Sequence, residues 1–288
     1  MRIYIFNPEH DMALASGLAN FTPPKAGRQL RHDLGFLPAL WSEDGDAVIV
    51  ENVDFAMEAM RKAGINKQCI FLNIKELSAF SHKNSITSLE PWGWDLALCE
   101  SLVRNNVPEV LLPNKDYIYH VKQISSRAWC AENLLKPLTE LEKTIGEAEI
   151  GYNADELKLF LTKNHRIMVK SPWSCSGRGV RYLTDDYENG SPTVFGLTKQ
   201  ALGWINNVIK QQGFIMMEPY YDKVLDFGME FFSDGNGGIE YCGMSLFNTC
   251  NGAYMGNIVA DESIKEKIVS QYVSLSSIHN LRQTILNL

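Results

Sequence analysis

The chain lacks paired cysteines, any long apolar run and any excess of positive charge. Each absence excludes something. None of the six cysteines (69, 99, 130, 175, 242 and 250) forms a CxxC pair, so neither a zinc site nor a disulfide frame is expected. Most lie in apolar segments and read as buried thiols of a reducing cytoplasm. No window is long and apolar enough to span a bilayer, so no membrane role is expected. A net charge of −7 argues against a general nucleic-acid binder, which needs a basic face for phosphates. There is no G-x-x-x-x-G-K-S/T and no G-x-G-x-x-G, and no repeat or low-complexity tract. The apolar start at 1–6 is broken by Asn7-Pro8, too early for a signal peptide, and reads as a first strand.

What is present is the composition of a soluble globular protein: 288 residues, 45% hydrophobic and 21% charged, a length that suits more than one domain. Residues 1–115 alternate strands (2–6, 47–51, 69–72, 109–112) with helices at 53–63 and 94–103. That order implies a mainly parallel sheet covered by helices. The segment 19–38, with Thr22-Pro23-Pro24-Lys25, reads as a long loop with a short helix, either functional or an ordinary connection. Residues 116–213 begin a second region. It has helices at 123–135 (capped by Ser125-Ser126), 154–161 and 198–211, and strands at 166–170 and 180–183. Residues 214–288 carry strands at 214–218 and 226–232. A Gly-rich turn at 234–238 then leads to a returning strand at 239–246, and one helix runs from 262 to the end.

Lys170 ends the β-type run Arg166-Ile167-Met168-Val169-Lys170. At once there follows Ser171-Pro172-Trp173-Ser174-Cys175-Ser176-Gly177-Arg178-Gly179. A strand-anchored cation beside a small-residue loop with amides to spare suits a polyphosphate, with the loop as a lid. Further on, Phe214-Ile215-Met216-Met217 leads into Glu218-Pro219-Tyr220-Tyr221-Asp222, an acidic hinge able to hold a purine.

These two stretches, in this order, resemble the nucleotide-binding strands of the ATP-grasp superfamily. Asn7-Pro8-Glu9-His10-Asp11, Thr22-Pro23-Pro24-Lys25, Pro91-Trp92-Gly93-Trp94 and Leu111-Leu112-Pro113 resemble an uncharacterised bacterial branch of it. The resemblance implies a doubly wound α/β N-terminal domain followed by α+β ATP-grasp-like subdomains. It also implies an ATP-dependent carboxylate–amine ligase working through an acyl phosphate, with ATP and Mg²⁺ as cofactors and a small carboxylate or amine as substrate. Lys170 would then meet the phosphates. Ser174, Ser176, Gly177 and Gly179 would form the phosphate lid. Glu218 and Tyr220 would offer backbone to the adenine edge, and Asp222 or Glu230 would accept from the ribose. Arg127 matches an early basic residue on the phosphate side. Arg178 faces a phosphate or solvent.

The chain departs from the pattern at its end. After Gly256 the carboxylates are Asp261, Glu262 and Glu266, at the start of a helix, with no Glu-x-Asn element, so no metal ligands are evident. A last subdomain that is incomplete is expected, with a homodimer or tight contact through the 214–260 hairpin region. The Gly-rich stretch 247–257 reads as an acceptor-substrate site or a plain loop. Asn7, Glu9, His10 and Asp11 follow the first strand, where open α/β sheets bind ligands. They read as a second-substrate site or a capped turn. The missing metal ligands keep a second class open, a nucleotide-binding or regulatory protein without chemistry.

Overall fold

The computed structural model describes all residues except 83, 142, 143, 175, 176, 186, 189, 190, 193–196, 251 and 252. The chain divides into two compact units, Met1–Ser125 and Ser126–Leu288.

The first unit is built on a parallel sheet. Its strands are β1 (Arg2–Ile5), β2 (Ala47–Ile49), β3 (Ile70–Leu72) and β4 (Ser88–Pro91), in spatial order β3-β2-β1-β4. Alternation sends Ile3, Ile5, Ala47 and Ile49 into one core with Leu77 and Leu102, and Tyr4 and Val48 into another with Phe36 and Met60. Both faces are therefore covered, as a parallel sheet requires. The helices are α1 (His10–Ser16), α2 (Lys25–Leu34), α3 (Val53–Lys62), α4 (Leu77–Ser81), α5 (Leu96–Arg104) and α6 (Lys115–Ile124). Asn52 caps α3 through the Phe55 amide and Asp95 caps α5 through the Leu98 amide.

Three expectations need correction here. The segment at 109–112 is a 3-10 turn, Glu109–Leu111, whose leucines fill the core from outside the sheet. The fourth strand is instead Ser88–Pro91, pairing with β1 on the sheet edge, where a proline is tolerated. The region 19–38 holds the ten-residue α2 rather than mainly loop.

The second unit opens with α7 (Arg127–Cys130), capped by Ser126 through the Trp129 amide. A π-helical turn (Ala131–Leu135) and α8 (Lys136–Thr139) follow. The expected helix over 123–135 is thus split by the Ser125-Ser126 cap. Strands β5 (Glu149–Gly151), β6 (Arg166–Lys170) and β7 (Val180–Thr184) come next, interleaved with α9 (Ala154–Asn164). After them come the short pair β8 (Tyr187–Glu188) and β9 (Ser191–Pro192), then α10 (Lys199–Gln212) and β10 (Ile215–Pro219). Of these, four strands make an antiparallel sheet in the order β5-β10-β6-β7. Leu157, Phe160, Ile205 and Val208 of α9 and α10 cover one face, packing on Ile167, Val169, Ile215 and Met217.

A second antiparallel sheet joins β11 (Asp226–Ser233), β12 (Ile239–Cys250) and β13 (Ala253–Ile258) in sequence order. Gly235 and Gly237 take positive φ in the β11–β12 turn, where a Cβ would be strained. Met244 and Leu246 bury one face against α11 (Glu262–Val269) and α12 (Leu275–Asn287). The single terminal helix expected from 262 onward is therefore two, with Ser274 capping the second through the Ser277 amide. The stretch 247–257 is not a plain loop: its described residues continue β12 and form β13.

No helix of the described residues is long and apolar enough to cross a membrane. Cys69 and Cys99 are half-buried and Cys130, Cys242 and Cys250 are exposed, which corrects the expectation of buried thiols. Cys175 lies outside the described residues.

Candidate functional site

Strand β6 has two faces. Ile167 and Val169 point into the helix-covered core, so Arg166, Met168 and Lys170 take the opposite face. In the antiparallel register Met216 lies opposite Lys170 and Glu218 opposite Met168. Lys170 and Glu218 are therefore diagonal neighbours on the open face. Lys170 Nζ donates to Glu218 Oε2 at 2.5 Å, with the two side chains 27% and 26% exposed. The strip continues along the sheet. Tyr182 meets Tyr220 edge-on at 4.8 Å, Arg166 lies 5.3 Å over the Tyr220 ring, and Arg166 Nη2 donates to Asp222 at 3.1 Å.

The loop after Lys170 is closed at its base. The Ser171 amide donates to Gly179 O at 2.7 Å. A Cβ at Gly179 would stand 2.2 Å from Ser174 Oγ and 2.8 Å from Ser171 Oγ, so only glycine fits that crossing. Arg127 grips the same loop. Its amide donates to Pro172 O at 3.0 Å, and its Nη1 donates to Ser171 O at 2.6 Å and Ser174 Oγ at 2.9 Å. Nη2 reaches Ser174 O at 3.1 Å. Gly177 takes a positive φ of 73°. Ser176 lies outside the described residues.

Arg127, Lys170, Gly177 and Val180 line one wall of a cleft of ≈ 470 Å³, and Phe247, Thr249 and Tyr254 of the second sheet line the other. The last three lie in the stretch 247–257, which the sequence offered as an acceptor-substrate site or a plain loop. Thr249 is fixed by Asp226 Oδ2 at 2.8 Å and by Lys223 Nζ at 3.0 Å. Desolvation, then Glu218, raises the Cys130 thiol above its ordinary range, against the pull of Lys170 and Arg127, which places that thiol in the field of the pair.

The remaining sequence candidates fall around this cleft unequally. Arg178 is not among the cleft's lining residues. The Tyr220 amide donates to Arg166 O at 2.9 Å and Glu218 pairs with Met168, while the pairing with β5 ends at Met217. Glu230 is exposed on β11 and accepts from Ser245 Oγ at 3.0 Å.

The late carboxylates serve as ties. Glu262 accepts from the Tyr241 hydroxyl, from the Met244 amide at 3.0 Å and from Lys265. Glu266 pairs with His279 and Arg282. Among the described residues no group of three His, Cys, Asp or Glu is placed to hold a metal ion.

In the first unit, Asn7 Nδ2 donates to Gly93 O at 2.7 Å and to Asp95 Oδ2 at 3.3 Å. The His10 ring packs on Gly93, where a Cβ would stand 2.3 Å away. Asn7 and Glu9 line a strand-end cavity, whereas His10 and Asp11 are not among its lining residues.

The chain matches no protein-family model and no curated protein. Solved structures are similar to it at low identity. One is N5-carboxyaminoimidazole synthetase from Staphylococcus aureus complexed with ADP, at 9% identity and TM-score 0.39, covering 94% of this chain and 61% of that one. The N5-carboxyaminoimidazole ribonucleotide synthetase from Thermus thermophilus has 9% identity and TM-score 0.43, covering 98% and 64%. D-cycloserine synthetase DcsG has 14% identity and TM-score 0.39, covering 78% and 75%. The chain spans about three fifths of the length of the carboxyaminoimidazole synthetases.

Proposed function

We propose that the unit Ser126–Leu288 binds ATP, and that the chain uses it as ATP-grasp carboxylate–amine ligases do, to activate a carboxylate. One observation carries this reading: Lys170 faces a cleft of ≈ 470 Å³ beside a serine–glycine loop cinched at its base, with a second sheet as the opposite wall. That volume lies within the range of small-molecule sites. Lys170 offsets phosphate charge. The base lies against Met168 beside the Tyr182–Tyr220 pair, and Asp222 or Glu230 accepts from the ribose. Arg127 acts by positioning the loop. Arg178, exposed and outside the cleft's lining, would serve as a second cation for the transferred phosphoryl group only by turning inward.

In such a reaction a carboxylate oxygen attacks the γ-phosphorus and the bond to the β,γ-bridging oxygen breaks, releasing ADP. The amine nitrogen of the second substrate then attacks the acyl carbon. Phosphate leaves and the nitrogen loses a proton. The chain's part is to hold and neutralise. Mg²⁺ is expected from the superfamily resemblance, but the described residues supply no group suited to it, so no ligand or step is assigned to it here.

A second reading, a nucleotide-binding protein without turnover, is favoured by the internal ties of Glu262 and Glu266. Calorimetry of ATP binding, then ADP release in the presence of pooled carboxylates and amines, separates the two. ATP binding with ADP release supports the ligase, and binding without release supports the second reading. Lys170→Ala is expected to weaken ATP binding by about 1.5–3 kcal/mol, the worth of a charge-assisted contact. Unchanged affinity removes Lys170 from the site and the nucleotide reading with it.

A further inference from the structure

The first unit carries a cavity of its own, ≈ 460 Å³, at the carboxyl ends of β1, β2 and β3. Parallel sheets bind ligands at this end, because loops and helix starts there surround a crevice the strands leave open. Part of its polar lining is buried. Asn7 is 2%, Asp95 3% and Glu9 5% exposed. Burying three such side chains costs free energy unless each is satisfied. Asn7 and Asp95 satisfy one another and the Gly93 backbone, and Asp95 also caps α5.

Glu9 and Arg31 form an ion pair through Oε1 and Nη2, and both line the cavity. Burial lowers the Arg31 pKa, against the attraction of Glu51 and Asp95. The wall thus holds a charge of each sign.

The whole lining is charge-balanced. Glu9, Glu51 and Asp95 face Arg31, Lys75 and Arg104. This composition selects among ligands. A phosphate would meet three carboxylates at close quarters. A bare divalent cation would meet three cationic side chains, and no metal-type cluster occurs among the described residues. An apolar ligand would set the buried Glu9 and Asp95 carboxylates against a surface with no hydrogen bond to offer. A molecule carrying one positive and one negative group satisfies both signs at once.

We propose that this cavity binds a small zwitterion with a free ammonium and a free carboxylate, the ammonium against Glu9 and Asp95 and the carboxylate against Arg31 and Lys75. Amino acids are the simplest members of that class. The assignment goes beyond the nucleotide reading and does not rest on it, since every residue used lies in the first unit.

The test is calorimetry and thermal shift on the full chain without nucleotide, titrating the standard L-amino acids singly. For each, the N-acetyl derivative and the methyl ester are titrated beside it, with inorganic phosphate as a further probe. At least one free amino acid is expected to bind, with each blocked form about tenfold or more weaker. Lys75→Ala, at an exposed position that should leave the fold intact, is expected to weaken the free acid but not the methyl ester. Glu9→Gln is expected to weaken both the free acid and the ester, and circular dichroism checks that it folds. If it does not, the Lys75 comparison decides. The proposal is overturned if no amino acid binds, if blocked forms or phosphate bind as well as the free acids, or if Lys75→Ala changes nothing. Lys170→Ala should leave this binding untouched whether or not ATP binding is lost, which keeps the two proposals separable.

Discussion

The two units place charge at strand ends in different ways. In the first, a parallel sheet buried on both faces sends its strands into a walled crevice, where Asn7, Glu9 and Asp95 are nearly inaccessible to water. In the second, an antiparallel sheet packs α9 and α10 on one face, and Lys170 and Glu218 stand on the other, each about a quarter exposed. A two-sided sheet concentrates chemistry where strands stop, whereas a one-sided sheet can spread it along a face. The first arrangement suits a small ligand held all round. The second suits a long one laid across a surface and covered by something else.

The contrast can be broken at three levels. The largest effect is expected from Ile167→Ala, beneath the open face. Ile167 is fully buried among α9, α10 and the sheet, and its loss should cost about 2–5 kcal/mol. Urea denaturation should show the second unit's transition moving while the first unit's stays. A common shift of both would mean that the two do not unfold independently. Gly179→Ala comes next. Its new Cβ would press on Ser174, which Arg127 already holds, at a cost of about 1–3 kcal/mol. ATP affinity should drop with it, and amino-acid binding by the first unit should not. An ATP affinity equal to wild type would show that the loop's crossing is irrelevant to the ligand.

The smallest effect concerns pH. Burial opposes ionisation of Glu262, but bonds from Tyr241, the Met244 amide and Lys265 outweigh it and hold its carboxyl below the ordinary range. Its contribution to stability is complete above the ordinary carboxylate pKa and fades as pH falls through the depressed value. Tyr241 behaves oppositely. Burial first, then Glu262, pushes its phenol from 10.0 up to about 12. That contribution is complete below the ordinary value and fades as pH rises towards about 12. Glu262→Gln should flatten the acid limb of the second unit's pH–stability profile and Tyr241→Phe the alkaline limb. Limbs that keep their slope would assign the pH dependence elsewhere.

Much of the second unit was legible because its signals are local. The run 166–170 is a strand to the residue, the Ser/Gly loop follows it, and the glycines of 234–238 turn the hairpin as read. Period two alone separates Ile167 and Val169 from Lys170. The misreadings share a cause, which is that tertiary packing assigned the apolar residues. Leu111 and Leu112 look like strand but fill a core from a 3-10 turn, while Ser88-Leu89-Glu90-Pro91 has little β character and is held by β1. The polar stretch after Phe247 looks like loop, yet β12 recruits it as a strand. In the first-unit cavity, Asn7 and Glu9 were legible from their place after a strand. Arg31, Glu51, Lys75 and Asp95 come from four other segments that only the fold brings together.

The contact between Lys170 and Glu218 sets terms for anything that enters the cleft. The lysine is already neutralised, so an incoming phosphate replaces one anion with another. A ligand with a single phosphate would gain little over the carboxylate it evicts, whereas a chain of phosphates would bring more charge to the lysine. The pair is in effect a threshold on ligand charge. It should let a spent nucleotide go more readily than a fresh one.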